Sequence, residues 1–565
     1  MFKRNIQQFQ LELPQPRNIV AIICIFFCSF AWYSPFFLFD FTHPTSHWDI
    51  YFRWALQFSN ALSSGDFYPR WMPSSNYGLG EPAFLYYPPL FYFSCSIVNI
   101  FVDDLWLSIK ITIYFSSVVG GSFVYLILQQ LNINYPLRMI GLIIIIGAPF
   151  YLFMTFMFNS LSWIFSWPAI SATIYFFVSK NTRNIINVPL AMSVAVTILS
   201  HILIGFILLI TFQAVFLGLI LQRCDRSEIR GYILRWTATS SVGLLLSAFY
   251  ILPALTTQHL ITPEGWSTSG GAVDWRQSFI FPFITSLLHG TYWRFAQWII
   301  PSVDIFSFFI AIILFLYRTD RTNGNNRQFI ALTSISLACY LFASEASYIL
   351  WQFAPAISRV QAPFRFLSIS AITSALLVIL ISDRSIKRGM PVAGYLALIT
   401  ALLLPVSLSL AILAQRVADG TSWSPRQVSL RDYAGQPEYF PADAKLTDKL
   451  KNMNGCFPQT VTCEEFFSHD AVKTWHVTAM QETDVALSLF DFPAWTITID
   501  GVVAARLEKS MDGLLVVRAP EGTHTIAAYW SRLPEEVVGA WISATALLFC
   551  LALPIWRRRH HAIAL

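Results

Sequence analysis

Charge is what this sequence has least of. Asp, Glu, Lys and Arg together make up 12% of its 565 residues, whereas soluble domains carry roughly 25%. That scarcity excludes an ordinary soluble fold. The net charge of +5 is small and scattered over short loops, which argues against a nucleic-acid partner. Several catalytic signatures are also missing. There is no Walker loop, no dinucleotide glycine fingerprint and no His-Glu-x-x-His zinc motif, and no Gly-x-Ser-x-Gly elbow. No repeat of fixed period and no low-complexity tract is visible. No small-residue cleavage site follows the first apolar run, which is expected to stay as a first span. Most of the eight cysteines lie in apolar runs, where they pack inertly. No cofactor and no metal is expected; the adjacent acids Asp103 and Asp104 rarely face one way.

What is present is hydrophobicity: 55% of residues are apolar and 16% aromatic. Several runs of 18 or more residues are nearly uncharged, the length a bilayer demands. The basic loops around Arg138, Lys180 and Arg183, Arg223 to Arg230, Arg318 to Arg327, Arg384 to Arg388 and Arg557 to Arg559 are read as cytoplasmic. Spans follow at 19–38, 107–130, 137–157, 160–179, 187–202, 203–222, 232–252, 299–317, 328–344, 366–382, 390–412 and 536–556. The apolar stretch 82–101 is broken by Pro82, Pro88 and Pro89, and counting it as a crossing would invert every later loop. The expected fold is therefore a polytopic α-helical membrane protein. It has about twelve transmembrane helices and one re-entrant or shallow segment. A miscount among the short spans at 187–222 is the alternative.

Three regions result. Residues 1–412 form the membrane domain with an outer loop at 39–106, residues 413–535 a polar extracytoplasmic insert, and residues 536–565 a last span with a basic tail. The insert alternates in strand fashion around Asp500-Gly501, a hairpin signal, and is read as a small β-sandwich. Cys456 and Cys463 sit close together in this polar region and could close a disulfide.

The outer loop holds the residues with the richest chemistry. Trp48, Phe52, Ala55, Leu56, Ser59 and Leu62 recur at helical spacing. Asp49 in the first turn suits the helix dipole and can pair with Arg53, four residues on; its plainer role is a cap. Acids, arginines, histidines and aromatics beside a membrane suit sugar transfer from a lipid phosphate. A carboxylate takes the acceptor proton, arginines hold the phosphate, and aromatics such as Trp71 line the groove. Asp49 is the expected base and Asp40 the runner-up. Arg70 is a phosphate contact or a snorkelling interface arginine. Arg365 opens a span against the positive-inside trend and is assigned to phosphate. Arg359 is an ordinary loop arginine or a further contact. His201, at a tight turn among apolar residues, binds substrate or is satisfied by backbone.

The run Asp49…Tyr68-Pro69-Arg70-Trp71…Gly78-Leu79-Gly80-Glu81-Pro82…Tyr86-Tyr87-Pro88-Pro89 resembles the membrane proteins labelled 6-pyruvoyl-tetrahydropterin synthase-related. These are similar to the YfhO-like branch of the GT-C glycosyltransferases. Leu252-Pro253, Gln361-Ala362-Pro363-Phe364-Arg365, Glu438-Tyr439-Phe440-Pro441 and Phe492-Pro493…Asp500-Gly501 extend the resemblance over most of the chain. It implies a polyprenyl-phosphate sugar donor, an envelope glycan or lipid acceptor, membrane lipids as surroundings and a catalytic acid at Asp49. The implied location is the bacterial plasma (inner) membrane, with the site extracytoplasmic. A lipid-linked glycan flippase or a non-catalytic assembly subunit are the competing expectations.

Overall fold

In lipid no water bonds the backbone, so an apolar run must satisfy its own amides, and a helix does so within one segment. The computed structural model describes residues 16–38, 48–179, 184–262, 274–290, 294–318, 326–389, 391–418, 430, 433–451, 453, 455–458, 460–469, 471–507 and 512–563. All twelve intervals read as spans fall on helices. Among the described residues nine helices are long and apolar enough to cross a bilayer, and a tenth run, Arg226–Leu246 with Ala248–Thr256, is bent by 79°. Val188–Ser200 and Arg327–Ala343 are shorter. The 13 residues of Val188–Ser200 rise about 20 Å against a hydrocarbon core of roughly 30 Å. The nine helices, the bent pair and these two shorter helices lie on the twelve intervals expected to cross. The stretch expected to be shallow contains a helix of only 13 residues, Leu90–Val102, which starts after Pro88 and Pro89. It packs on Trp48–Ser63 and Leu105–Gln130.

The insert folds as two antiparallel sheets. Strands β1 (Cys456–Phe457), β4 (Thr483–Phe490) and β7 (Leu514–Ala519) form one, in the order β1-β4-β7. The other is β2-β3-β8-β5-β6, from β2 (Thr462–His469), β3 (Val472–Ala479), β5 (Trp495–Ile499), β6 (Val502–Val503) and β8 (Gly522–Trp530). Asp500 and Gly501, with φ of 50° and 82°, turn β5 into β6 with Ile499 opposite Val502. Both central residues of this turn type need positive φ. Cys456 and Cys463 are joined as a disulfide with their Cα atoms 5.8 Å apart.

The loop after Trp48–Ser63 is gripped between the two parts. Trp71, buried, meets Trp495 at 5.2 Å and Trp530 at 5.6 Å between ring centroids. Phe490 donates its N–H to the Leu79 carbonyl at 2.9 Å, and Lys473 Nζ donates to the Gly78 carbonyl at 3.0 Å. A Cβ on Gly80 would lie 2.1 Å from Trp71 Nε1, and φ there is +79°. Arg70 forms a 2.5 Å ion pair with Glu536 at the start of the last helix, both side chains being almost wholly buried, and its guanidinium covers the Tyr68 ring.

A second contact seats residues 433–439, the strap leading into the sandwich, on this loop. Asn76, Tyr77 and Gly78 all have positive φ, which coils the loop tightly. Tyr77 donates its N–H to the Tyr433 carbonyl at 3.1 Å. The Glu81 carboxyl accepts from Gln436 N–H at 3.2 Å and from Asn76 Nδ2 at 3.4 Å. Gly435 passes so closely that a Cβ would lie 2.4 Å from Asn76 Oδ1 and 2.7 Å from Glu81 Oε2. Burial pushes the Glu81 carboxyl up to about 8 from an ordinary 4.5, opposed by the Gln436 N–H.

Two predictions follow from these contacts. Arg70→Met leaves Glu536 buried without its cation and is expected to cost about 3–5 kcal/mol, read as a lowered denaturation midpoint. Arg70→Met with Glu536→Gln recovers most of the loss. For Glu81, the raised folded value means that the protonated form is the one folding favours. Its contribution is complete below pH 4.5 and is lost as pH rises toward about 8. Glu81→Gln is expected to flatten the fall in thermal midpoint across that window, measured by a pH series on purified protein.

Candidate active site

Helix ends expose backbone groups and polar turns, so chemistry in a helical membrane protein collects where several ends meet. Here the ends meet around a cavity of about 160 Å³, room for on the order of ten waters. Ile50, Tyr51 and Trp54 of Trp48–Ser63 line one wall, and Tyr86, Tyr87 and Pro88 continue it. Ser160, His201, Gln361 and Arg365 come from three turns between helices, and Gln436, Glu438 and Tyr439 from the strap. The turns at 159–160, 201 and 361–365 thus meet at one cavity.

The aromatic wall is tightly built. Trp54 meets Tyr87 edge-on at 5.0 Å and Tyr439 at 5.6 Å, arrangements the ring quadrupoles favour. The Trp54 indole N–H donates to Tyr433 Oη at 2.9 Å, which ties the helix to the strap. Tyr51 Oη lies 3.2 Å from Ser160 Oγ and 3.3 Å from Tyr87 Oη, and Tyr87 Oη lies 2.7 Å from Ser162 Oγ. These hydroxyls form a connected polar floor.

Three ionisable groups face this space. Arg365 is half-buried on the short turn Pro363–Phe366. Its Nη1 donates to the Val360 carbonyl and to Gln361 Oε1, and its guanidinium lies 5.3 Å from the Trp163 ring centroid. His201, in the turn before Ile202–Leu221, accepts the Ile204 N–H at Nδ1, 3.4 Å away. Burial, with Arg365 nearby, pushes this imidazole down to about 3. It is therefore neutral at physiological pH. With Nδ1 accepting, the proton sits on Nε2, which makes the ring a hydrogen-bond donor. Burial raises the Glu438 carboxyl above its usual range. A carboxyl shifted that way is better matched to taking a proton near neutrality.

The residues singled out from sequence divide. His201 and Arg365 line the cavity. Asp49 does not: it stands at the start of its helix, 43% exposed, with Oδ2 4.0 Å from Arg53 Nε, beside cavity residues Ile50 and Tyr51. Arg53 lies over the Tyr433 ring at 5.2 Å. Three of the expected substrate contacts lie away from this cavity. Arg70 and Trp71 are buried in the contact with the last helix and the sandwich, and Arg359 is exposed outside the cavity, donating to Gln258 Oε1 at 3.1 Å. Asp40 lies outside the described residues. Glu438, Gln436, Tyr87 and Ser160 were given no catalytic part from sequence. Glu438 belongs to the insert, which reads from sequence as separate from the site. Its one sequence signal is its place in Glu438-Tyr439-Phe440-Pro441, in the polar stretch ahead of the first strand at Cys456.

No family model and no curated protein matches the sequence. Among solved structures the chain is similar to arabinofuranosyltransferase AftD from Mycobacteria, determined by cryo-EM, at 17% identity and a TM-score of 0.42. The match covers 70% of this chain and 26% of that one, so this chain corresponds to about a quarter of that protein's length.

Proposed function

We propose that this protein is a membrane glycosyltransferase of the GT-C type, moving a sugar from a polyprenyl-phosphate donor to a hydroxyl of an envelope glycan or lipid on the outer face of the bacterial plasma membrane. The observation that carries the reading is that one cavity is lined by a carboxyl with raised proton affinity, a guanidinium, a neutral imidazole and an aromatic wall. Each part has a role in that reaction. The Arg365 guanidinium offers the forked donors that suit a phosphate leaving group, and His201 adds an uncharged donor from Nε2. Tyr51, Tyr87 and Tyr439 offer ring faces and hydroxyls to a sugar. A carboxylate takes the acceptor proton as its oxygen attacks the anomeric carbon and the carbon–phosphate oxygen bond breaks, with inversion.

Glu438 is the base this geometry favours, because it faces the cavity. Asp49, at the rim beside Ile50 and Tyr51, is the second choice. The assay is transfer from a panel of polyprenyl-phosphate sugars by purified protein. Glu438→Gln is expected to lower turnover by about 10²–10⁴-fold with an unchanged unfolding midpoint, while Asp49→Asn stays within a few-fold. The reverse pattern moves the base to Asp49. Transfer unaffected by either variant removes the carboxylate mechanism, and a wild-type protein inactive with every donor removes the transferase reading. Arg365→Gln is expected to raise the donor KM more than Arg365→Lys does, which keeps the charge but loses the fork.

A further inference from the structure

The helix Val188–Ser200 carries a polar residue at each end. His201 closes it in the candidate active site, and Asn187 opens it beside a different cavity, about 20 Å away by helix rise. This second cavity has a volume of about 40 Å³. It sits where the start of Val188–Ser200 meets the helix Arg226–Leu246 and the end of Trp167–Val178. The basic residues Arg223, Arg226 and Arg230 belong to the loop and first turns at the same end of Arg226–Leu246. Among the described residues no acid lines the cavity. Glu228, one turn before Tyr232 on the same helix, is already paired with Arg327 at 2.6 Å.

What lines it instead is a set of donors. Trp236 is 2% exposed, and its buried Nε1 has no hydrogen-bond partner among the described residues. An indole N–H can only donate, so what it lacks is an acceptor. Asn187 commits its Oδ1 to the Leu190 N–H at 3.2 Å as the helix cap, which leaves its Nδ2 to offer. Thr239 Oγ1 accepts the Asn187 N–H at 3.1 Å and donates to the Ile185 carbonyl at 3.3 Å. These bonds pin the segment in place before any ligand arrives. The Arg235 guanidinium, 5.0 Å from the Tyr232 ring centroid, brings a permanent positive charge to the lining. Arg557 of the last helix brings another: its Nη2 donates to the Ile186 carbonyl at 3.2 Å, between the lining residues Asn184 and Asn187. Two guanidiniums, an unused indole N–H and the positive end of a helix select an anion. The space holds on the order of three waters, the scale of a phosphate group and not of a whole lipid. Ile185, Ile233 and Leu234 are exposed on the same segments. They offer the apolar surface that an acyl chain needs and a free phosphate does not.

We propose that this cavity binds the phosphate of an anionic membrane phospholipid, at the end of Val188–Ser200 opposite the candidate active site. Two nearby guanidiniums disfavour the ammonium of a zwitterionic headgroup, which selects a lipid of net negative charge. The site does not rest on the transferase reading. The test is thermal unfolding of the full chain in nanodiscs of phosphatidylcholine with a rising share of phosphatidylglycerol. Wild-type protein is expected to show a saturable rise in midpoint and, by native mass spectrometry from detergent, to retain about one phosphatidylglycerol per chain. Arg235→Gln and Trp236→Phe, each read against its own midpoint in pure phosphatidylcholine, shift half-saturation to about tenfold more phosphatidylglycerol. Arg230→Gln, an exposed arginine outside the cavity lining, leaves it where it was. Inorganic phosphate added to phosphatidylcholine nanodiscs gives no rise. Equal half-saturation in wild type and Arg235→Gln would overturn the proposal. So would an equal shift in Arg230→Gln, which reduces the effect to general surface charge. Saturable stabilisation by inorganic phosphate alone would also overturn it, because a soluble anion then suffices.

Discussion

The contact between the Glu81 carboxyl and the backbone at Gly435-Gln436 is the constraint on which the site rests. It joins the loop after the first amphipathic helix to a strap more than 350 residues later in the chain. Glycine is required at 435 because Asn76 and Glu81 occupy the place of a side chain. Seated this way, the strap delivers Gln436, Glu438 and Tyr439 to a cavity whose other walls come from helix ends. The indole of Trp54 and the phenol of Tyr433 repeat the tie from the opposite side. A buried acid with a raised proton affinity thus shapes the wall that carries the second acid, Glu438, for which turnover is proposed.

Three of the buried acids illustrate how environment divides their tasks. Glu536 has a cation at 2.5 Å and also accepts the Leu533 N–H. It is an anchor between the last helix and the first loop. Such a pair adds little net stability over apolar packing, but losing one member is costly, so its effect is to fix relative position. Glu81 has neutral donors and is shifted toward its protonated form. Asp304 lines a small, mostly apolar cavity in which Ser307 and Ser374 are the other polar residues. Charge is scarce in this chain, and each interior carboxyl has a distinct local solution.

The sandwich acts as a clamp on the membrane part as well as a separate fold. Trp71 fills the space between Phe492, Trp495 and Trp530, while Lys473 and Phe490 bond the loop backbone. Arg70 and Trp71 read from sequence as substrate contacts because a basic and an aromatic residue in an outer loop suit a phosphate and a sugar. In the folded chain they face the other way, where burying an indole and pairing a guanidinium hold two parts of the protein together.

The sequence by itself determined the helices, the strands and the turn at Asp500-Gly501. Apolar length and alternation are local properties, and the backbone must satisfy its own hydrogen bonds in lipid. It also marked His201 and Arg365, which stand out as polar groups where apolar ones are the rule. Helix lengths were less legible, because Gly147, Ser247 and the prolines interrupt apolar runs that composition reads as continuous. What only the tertiary structure decided is which polar residues share a space. Along the chain Asp49 stands out as a candidate acid and Glu438 does not. Their exposure and their neighbours arise from packing between segments hundreds of residues apart, and no local pattern encodes that.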